Sequence, residues 1–498
     1  MKKIQWVMCL LIAGQHVMAQ DFPGFRTGNY TGVNSVFFNP ANIADSRYRW
    51  DVNLVSISTL MGNNQAAFRL KDIGHTLNGD SIKNQIFGDK AGAASGNFNL
   101  NIVGPSVMFN TGRKMSFALT TRARAIVNIR DLDGKLANKL VNDFDNDASL
   151  PYSINSNNNM QLSGNGWMEF GASVARVLVD KGPHFLKGGI TLKYLAGAAN
   201  AHIYLNQFKG TLNNDAVQDK VYLSNTTGRI GVGFGGANVN DFDAKDLTSF
   251  ESTGFGGDIG FVYEFRPGYA SYKYNDSLWR RDLNKYTLRV GVAILDIGSI
   301  KYKKDKDRSG TYDMHVTGTD RFYLNDLTEE DLDSYNAFFK NHSEFFTPAT
   351  TNADATYKVS LPTTLNLDVD YHIGQTGVYM NLATQIALTK MDNKPYNSQY
   401  YSGFTFTPRF ESRAFGVFVP VNYNQLTKVN AGISLRAGPV FIGSGSLITA
   451  LVKDSKQADF HIGIHVGGLQ RNKARHKKDK KKENTEPAAT NAAISQQM

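Results

Sequence analysis

Residues 365–372 read Leu-Asn-Leu-Asp-Val-Asp-Tyr-His and alternate apolar with polar side chains without interruption. Successive side chains of a β-strand point to opposite faces of the sheet. The leucines, the valine and the tyrosine therefore share one face, and the asparagine, the two aspartates and the histidine share the other. This pattern predicts a strand that separates an apolar medium from a polar one.

The same alternation recurs from about residue 50 to residue 469, for example in residues 117–130 and 258–266. The alternating segments run for about 9–16 residues, whereas strands of soluble proteins average about 5–6 residues. A segment of about ten residues tilted by roughly 45° crosses a bilayer with one face towards lipid and the other towards a polar lumen. The repetition therefore predicts an all-β fold, a transmembrane antiparallel β-barrel over residues 50–469. From the pattern alone, a secreted β-sandwich or propeller with long strands is the alternative.

The lengths of the connections predict the number of strands. Short connections occur at 111–113, 180–183, 373–376, 411–413 and 437–439, and long ones at 61–95, 131–164, 206–254, 303–355 and 391–402. Bacterial barrels have short periplasmic turns and long outer loops. With residues 206–254 treated as an outer loop the count is about 14 strands, and it is about 16 if residues 221–223 and 230–234 add a hairpin to the wall. Residues 325–347, with Thr328 as a cap, predict a helix within an outer loop.

The two ends of the chain differ from the repeated region. Residues 1–19 have the three parts of a signal peptide: Lys2 and Lys3, an apolar run over residues 4–13, and small or tolerated residues before a cleavage site after Ala19. Residues 20–49 precede the first strand. Residues 470–498 are rich in lysine and then in alanine, threonine and glutamine, which predicts a disordered basic tail in the periplasm. Export of a barrel places it in the outer membrane of a Gram-negative cell envelope.

Composition excludes several classes of protein. The only cysteine, Cys9, lies in the predicted leader, so the mature chain has no disulfide, thiolate metal site or cysteine nucleophile. The formal charge of +10 is concentrated in the leader and the tail and leaves about +3 for the body, so no nucleic-acid partner is predicted. After the leader, no apolar run approaches the ~18–20 residues of a membrane helix.

Residues 35–44 read Ser-Val-Phe-Phe-Asn-Pro-Ala-Asn-Ile-Ala and place Asn39-Pro40-Ala41 between the leader and the first strand. An Asn-Pro-Ala element in this place resembles the start of FadL-like outer-membrane barrels, which include the long-chain fatty acid transporters and PorV, a barrel of the type IX secretion system. Residues 264–267 and 295–302 are similar to strand ends in uncharacterised barrels of this group from Bacteroidetes. The resemblance implies a 14-stranded barrel with an N-terminal hatch segment, residues 20–49, inside the lumen. Asn39 can cap a helical turn that starts at Pro40, and an ordinary Asn-Pro turn is the alternative.

Charged residues on the polar faces of the strands are candidates for lining the lumen. These candidates are Arg122, Arg124, Arg130, Glu169, Arg289, Asp368, Asp370, His372, Arg409, Glu411, Arg413 and Arg436, together with Lys193, Glu264 and Arg266. A lumen is polar, and opposite charges pair across it because unpaired buried charges are costly. Pairing therefore accounts for these residues without a substrate. The stripe of Arg122, Arg124 and Arg130 is the best candidate for contact with an anionic headgroup or with the hatch.

Nothing in the sequence predicts an enzyme, a cofactor or a metal site. Asp368, Asp370 and His372 share one face, but alternate residues of a strand are about 6.5–7 Å apart, and the trio falls near the short-turn end. His461 and His465 are separated by four strand steps, about 13 Å, which is too far to share a metal ion.

Two further motifs give only weak signals. Asp143, Asp145 and Asp147 resemble the opening of a calcium loop, but the turn glycine and the closing glutamate of an EF-hand are missing, which leaves a looser calcium site in this loop as the alternative. Gly231, Gly233 and Gly236 match the G-x-G-x-x-G spacing without a βαβ context, which predicts a flexible glycine-rich loop.

Three functions are therefore weighed. The leading expectation is a FadL-like barrel that handles or transports a hydrophobic or lipid-like small molecule, with a lateral opening or an apolar pocket under the outer loops. The alternative is a non-transporting, PorV-like scaffold or secretion accessory protein with a sealed lumen and outer-membrane or periplasmic protein partners. A remote alternative, an outer-membrane hydrolase, requires an Asp–His contact near the outer rim. Outer-membrane lipid surrounds the barrel in each case.

Overall fold

The computed structural model describes most of the chain between residues 21 and 470. The described ranges are 21–70, 93–111, 114–136, 150–156, 159–237, 251–274, 277–278, 280–328, 334–349, 355–392 and 394–470. The predicted leader, the aspartates at 143, 145 and 147, and the basic tail from residue 471 lie outside these ranges.

The described chain is almost entirely β-structure. The first twelve strands are β1 (Tyr48–Asn63), β2 (Ala93–Val103), β3 (Ser106–Thr111), β4 (Met115–Asp133), β5 (Tyr152–Asn155), β6 (Met160–Lys181), β7 (His184–Asp215), β8 (Lys220–Gly236), β9 (Ser252–Phe265), β10 (Lys273–Tyr274), β11 (Ser277–Leu278) and β12 (Leu288–Lys303). The remainder are β13 (Gly310–Val316), β14 (Phe322–Tyr323), β15 (Phe346–Pro348), β16 (Thr356–Ser360), β17 (Thr364–His372), β18 (Val378–Ala387), β19 (Gly403–Glu411), β20 (Phe415–Phe418), β21 (Val421–Asn424), β22 (Lys428–Ala431), β23 (Ile433–Ala437), β24 (Val440–Ser444) and β25 (Gln457–Leu469).

Fourteen antiparallel wall strands pair in chain order and close into a barrel. Four of these wall strands are each built from two segments: β2 with β3, β16 with β17, β20 with β21, and β22 with β23. Closure is made by β1 and β25, which pair from Tyr48 opposite Leu469 to Gly62 opposite Gln457. The start of β1 and the end of β25 therefore lie at the rim that carries the short turns, and this rim is the periplasmic one. The predicted barrel of 14 strands is confirmed.

The wall has an apolar outside and a polar inside. On β17, the polar residues Asn366 and Asp370 are buried on the inner face, whereas Val369 and Tyr371 are exposed on the outer face. Elsewhere on the outside Leu119, Leu192 and Phe255 are 59%, 69% and 74% exposed. An exterior of this kind is stable against hydrocarbon rather than water, so the barrel is a transmembrane barrel of the outer-membrane type.

Residues 206–254, treated as a loop from sequence, contain a long hairpin. Strand β7 continues beyond its wall pairing and pairs with β8 from Ala199 opposite Gly236 to Asp215 opposite Lys220. Strand β8 then pairs with β13 and β14, not with a wall strand. The hairpin therefore builds a separate domain above the outer rim and adds nothing to the wall, which is why the count is 14 and not 16.

This outer domain has its own hydrophobic core. Its buried residues include Phe208, Leu212, Val232, Met314, Phe339 and Phe346. Within the described part of 325–347, helices occur as α1 (Asn325–Thr328) and α2 (Tyr335–Asn341). Thr328 lies within α1 and not before a helix, and Phe346 belongs to β15, where it packs into this core. A third helix, α3, spans Leu447–Val452. None of the described helices is long and apolar enough to cross a membrane.

The glycine-rich motif is a strand and not a flexible loop. Gly231 and Gly233 lie in β8 opposite Tyr204 and His202 of β7. A Cβ atom would come within 2.2 Å of the Tyr204 ring at Gly231 and within 2.4 Å of the His202 ring at Gly233. The glycines are therefore explained by rings that lie across them.

Residues 21–47, here the N-terminal segment, pack against inward-facing side chains from both halves of the wall. The segment forms three 3₁₀ turns, Phe25–Thr27, Gly32–Phe37 and Pro40–Ile43. The Phe25 ring stacks on Phe441 of β24 with centroids 3.7 Å apart. The Asn39 side chain accepts a hydrogen bond from the Ala41 N–H and so caps the turn that begins at Pro40.

Buried polar groups of the wall also hold this segment. The backbone N–H of Val33 donates to Asp51 Oδ2 at 2.7 Å, and His465 contacts the other carboxylate oxygen of Asp51 at 2.8 Å. Gly32 has a φ of +58°, and a Cβ atom there would lie 2.0 Å from Asp51 Oδ2. Only glycine satisfies both the conformation and the close approach at this position.

The close approach of the segment to β7 can be tested by Gly189→Ala. A Cβ at Gly189 would lie 2.5 Å from the Pro40 carbonyl carbon and 2.6 Å from the Ala41 nitrogen. Because both are backbone atoms, overpacking should lower the free energy of unfolding by about 1–3 kcal/mol. The matched control is Gly164→Ala, where the nearest heavy atom is 3.9 Å away. The midpoint of heat unfolding, read from electrophoretic mobility, should fall only for Gly189→Ala, and equal midpoints would contradict the packing described.

Candidate functional site

The middle of the lumen contains a charge-balanced group, here the central cluster. Its members come from five wall strands and are Arg122, Arg124, Glu169, Lys193, Asp258 and Asp296. Arg122 Nη2 lies 2.6 Å from Glu169 Oε2, and Arg124 Nη1 lies 2.9 Å from Asp296 Oδ2. Lys193 Nζ lies 2.7 Å from Asp258 Oδ1 and 2.6 Å from Asp296 Oδ1. Three cations thus meet three carboxylates, and the formal charges cancel.

Asp296 joins this cluster through an irregularity in β12. The pairing of β12 with β9 shifts between Ile294 and Ile297, and Asp296 has a φ of +59°. Its backbone N–H donates to Asp258 Oδ1 at 2.7 Å. The bulge therefore turns a carboxylate inward where simple alternation would not place one.

Aromatic residues connect the central cluster to its neighbours along the barrel axis. The Arg124 guanidinium lies over the Trp167 ring at 4.7 Å and also donates to the Tyr400 hydroxyl. The Arg122 guanidinium lies over the Phe37 ring at 4.7 Å. The N-terminal segment, through Phe37, and an outer connection, through Tyr400, therefore contact the same pair of arginines.

A second group, the lateral cluster, consists of Arg289, Asp368, Asp370, Arg409 and Glu411. Arg409 holds Asp370 with two hydrogen bonds, of 2.6 and 2.8 Å, and reaches Glu411 through Nε at 3.0 Å. Glu411 in turn accepts hydrogen bonds from the backbone and side-chain nitrogens of Asn29, at 3.0 and 2.9 Å. This cluster therefore anchors the N-terminal segment to β19.

A third group, the basal cluster, lies at the periplasmic end. It consists of Asp45, Arg47, Lys187, Glu264, Arg266, Arg281 and Lys285. Asp45 Oδ2 lies 2.9 Å from Arg266 Nη2 and 2.9 Å from Lys285 Nζ, and Lys187 Nζ lies 3.3 Å from Glu264 Oε1. Burial alone would raise the pKa of the Asp45 carboxyl. The adjacent Lys285, Arg47 and Arg266 outweigh that effect and hold the pKa well below its usual range.

Four of the residues proposed from sequence lie outside these clusters. Arg130 lies on the same face of β4 as Arg122 and Arg124, but it is partly exposed near the outer end of the strand and pairs with Asp392 at 2.5 Å. It therefore stands apart from the central cluster. Arg413 is exposed in the turn after β19, where it donates to the Gln470 carbonyl at 3.1 Å, and does not line the lumen.

His372 and Arg436 complete the proposed set. His372 stacks on Tyr379 with centroids 4.3 Å apart, and its ring nitrogens contact the carbonyls of Tyr286 and Thr376. Arg436 is buried and donates to the Ser412 carbonyl at 2.6 Å. Neither residue brings a catalytic partner to Asp370.

Sequence reasoning did not select seven residues that the structure places in the clusters: Asp45, Arg47, Lys187, Asp258, Arg281, Lys285 and Asp296. Asp258 was visible on the polar face of β9 and could have been included. Asp45 and Lys285 lie in connections, where no periodicity indicates the direction of a side chain.

Two observations on the described residues concern a metal site and an Asp–His pair. No group of three or more histidine, cysteine, aspartate or glutamate side chains among the described residues could hold a metal ion. The contact between His465 and Asp51 is buried at the periplasmic end, under the N-terminal segment. It does not lie near the outer rim, where the hydrolase interpretation requires such a pair.

The outer face of the wall carries an apolar depression of about 700 Å³. Its lining runs across six adjacent wall strands and includes Val52, Pro105, Leu119, Phe170, Ala172, Leu192, Tyr194 and Phe255. Gly171 and Gly256, which have no side chain, also line it, as does Lys193 of the central cluster. The depression thus lies between the lipid-facing surface and the polar lumen.

A break in the wall borders this depression. Strand β2 ends at Val103, opposite Ser56, and β3 begins at Ser106, opposite Asn53. Gly104 and Pro105 stand between the two strands, and Pro105 has no N–H to donate to a ladder. The Asn53 side chain donates instead to the carbonyls of Val103 and Gly104 at 3.3 and 3.1 Å.

Comparison with known proteins identifies a family. Residues 40–445 match the family described as "Family of unknown function (DUF5723)". The chain belongs to this family. No curated protein matches the sequence. The match covers the wall strands from β1 to β24, and Pro40 and Ala41 of the Asn-Pro-Ala element of this DUF5723 chain.

Solved structures similar to this DUF5723 chain are bacterial barrels of low sequence identity. A FadL homologue of Pseudomonas aeruginosa is 10% identical with a TM-score of 0.39, and the match covers 90% of this chain and 98% of that one. The TodX deltaS2S3 mutant, a monoaromatic hydrocarbon channel, is 8% identical with a TM-score of 0.30 over 88% and 94% of the two chains. The translocator domain of the autotransporter NalP from Neisseria meningitidis is 8% identical with a TM-score of 0.28 over 85% and 90%. The barrel assignment itself rests on the strand pairing of this chain.

Removal of one carboxylate tests the central cluster. Glu169→Ala leaves Arg122 and Arg124 short of a buried counter-charge, which should lower the free energy of unfolding by about 3–5 kcal/mol. The control is Asp313→Ala in the outer domain, whose partner Arg229 is 53% exposed, and it should cost less than about 1 kcal/mol. Equilibrium unfolding in detergent micelles measures both, and similar losses for the two variants would contradict the account.

Acid titration tests the basal cluster. Because the pKa of Asp45 is depressed in the folded chain, its contribution to stability is present above the unfolded value of about 3.9 and is lost as the pH falls through the folded pKa. Asp45→Asn should therefore be destabilised at pH 7, and its difference from the wild type should shrink as the pH falls well below 4. Unfolding curves measured from pH 7 to strong acid give this difference, and a gap that is constant with pH would exclude the role assigned to Asp45.

Proposed function

We propose that this DUF5723 barrel handles a hydrophobic or lipid-like molecule that reaches it from the plane of the outer membrane. The supporting observation is the apolar depression in the outer wall. Its volume of about 700 Å³ lies within the ~300–1,000 Å³ typical of small-molecule sites. An apolar solute already dissolved in the bilayer has direct access to this surface.

The local construction of the wall favours this function over ordinary contact with lipid. The strand break at Gly104 and Pro105 borders the depression, and the glycines at 171 and 256 add no side chain to its lining. Lys193 is shared between the lining and the central cluster, so the apolar surface and the polar lumen meet at one residue. An amphiphilic molecule suits such a boundary, with its apolar part in the depression.

The lumen supports lateral entry more than axial passage. The N-terminal segment and the three clusters occupy the inside of the described barrel. A pocket lined by Asn29, Lys187 and Lys285 has about 40 Å³, and one lined by Arg26, Asn42 and Asp368 has about 30 Å³. Each has room for only a few water molecules.

The second candidate function is a non-transporting scaffold or secretion accessory protein. This function requires a filled lumen. The N-terminal segment, acting as a hatch, and the paired charges fill it. The outer domain, with its own core, offers a folded surface outside the membrane for a protein partner.

A bulky substitution in the depression distinguishes the ligand-handling function from the scaffold function. Ala172→Phe introduces a ring into the lining, and the matched control Ala458→Phe places the same ring on an exposed outer position of β25, away from the depression. Purified barrels are titrated in detergent with a fluorescent long-chain fatty acid. Saturable binding is expected for the wild type and the control and should weaken by about tenfold in Ala172→Phe, the equivalent of losing roughly 1.4 kcal/mol.

Analysis of the purified protein completes this test. Lipid extraction of the wild type should recover a bound apolar molecule that Ala172→Phe retains at a lower level. No saturable binding and no extracted molecule, together with stoichiometric co-purification of another envelope protein, would reject the ligand-handling function in favour of the scaffold.

A further inference from the structure

We propose that the basal pocket is a binding site for a phosphate group presented from the periplasm. The basal pocket is the cavity of about 40 Å³ between the N-terminal segment and the wall, and it is remote from the apolar depression. Its lining includes Asn42, Ser46, Arg47, Lys187, Lys285 and Arg289. The inference is independent of the proposed handling of a hydrophobic molecule.

The charges around the pocket do not balance. Among the described residues, the basal cluster sets the cations Arg47, Lys187, Arg266 and Lys285 against two carboxylates, Asp45 and Glu264. The central cluster, by contrast, pairs its three cations with three carboxylates. Buried charge without a counter-charge costs several kcal/mol per ion, so an anion from outside the chain would stabilise this excess.

Donors in the cluster are also left without acceptors. Within the described part of the chain, Nη1 of Arg47 and Nη1 of Arg266 are buried and have no hydrogen-bond partner. The Arg47 side chain is 8% exposed and lines the pocket itself. Buried guanidinium nitrogens are almost always paired, so an unpartnered one beside a cavity marks the place of an acceptor.

The chemistry of the lining favours phosphate over a carboxylate. Arginine and lysine provide charge-assisted hydrogen bonds, and the Ser46 hydroxyl, which accepts from the Tyr48 N–H, stands at the same cavity. A phosphate group has more acceptor oxygens than a carboxylate and can carry two negative charges, which matches this excess of cations. The volume admits one small tetrahedral anion.

The position of the pocket indicates where the anion comes from. Asn42, Ser46 and Asn284 are partly exposed, and they line the pocket at the rim that carries the short turns. The periplasm offers the same chemistry in two forms, inorganic phosphate and the headgroup of a phospholipid in the inner leaflet of the outer membrane.

The first experiment is equilibrium dialysis of the full chain in detergent against radiolabelled inorganic phosphate. The wild type should bind about one phosphate per chain, and Arg47→Gln should weaken binding by roughly tenfold to a hundredfold, as expected for the loss of a charge-assisted hydrogen bond. Arg47→Lys keeps the charge and should weaken binding less than Arg47→Gln. Arg436→Gln is the control, because Arg436 is equally buried but does not line the pocket.

Folding is verified for each variant by the heat-dependent change in electrophoretic mobility. If Arg47→Gln does not fold, Arg47→Lys and the wild type still decide the question. Absence of saturable phosphate binding to the folded wild type at millimolar concentration, or equal weakening by Arg436→Gln and Arg47→Gln, would overturn the proposal.

A second experiment distinguishes the two sources of phosphate. Phosphorus is measured in organic and aqueous extracts of the purified wild type and of Arg47→Lys. Phosphorus that enters the organic phase and falls in the variant indicates a lipid headgroup, whereas phosphorus that enters the aqueous phase indicates free phosphate. Extracts without phosphorus, from a protein that also fails to bind inorganic phosphate, would reject both sources.

Discussion

The ion pairs between wall strands are the interaction on which the rest of this structure depends. A barrel in hydrocarbon turns its polar side chains inward, and each inward charge has to find an opposite charge or a hydrogen bond there. The central cluster achieves this with residues from five strands, and the lateral cluster does so with the help of Asn29. The N-terminal segment is therefore a part of the electrostatic solution, because its backbone and side chains complete the hydrogen bonding of the wall.

This arrangement separates the polar and apolar functions of the molecule in space. The inside is occupied by paired charges and by the N-terminal segment, whereas the apolar depression is on the outside, next to the strand break at Gly104 and Pro105. Lys193 belongs to both regions, and it is held in place by Asp258 and Asp296. At the periplasmic end the electrostatic balance changes, since Asp45 and Glu264 face an excess of cations.

The alternating pattern predicted the features that depend on strand periodicity and missed the residues at which that periodicity is interrupted. Alternation placed the side chains of β17 on the correct faces and, with the connection lengths, led to 14 wall strands. It failed at Asp296, where a bulge and a positive φ turn the carboxylate inward against the alternation. Residues 206–254 were treated as a loop because β7 and β8 leave the membrane and pack on a different core. Asp45 and Lys285 were not found, because only the folded chain brings these two connections together.

The pair of arginines on β4 has a consequence for how faithfully the barrel is assembled. Arg122 and Arg124 project to the same side, so a slip of one residue against β2 or β6 would turn both guanidinium groups outward into the acyl chains. Each misplaced arginine near the bilayer midplane would cost about 2–4 kcal/mol, in addition to the lost ion pairs with Glu169 and Asp296. Several strands therefore disfavour a misaligned barrel at the same time, and the lumenal charges help to select the correct strand register.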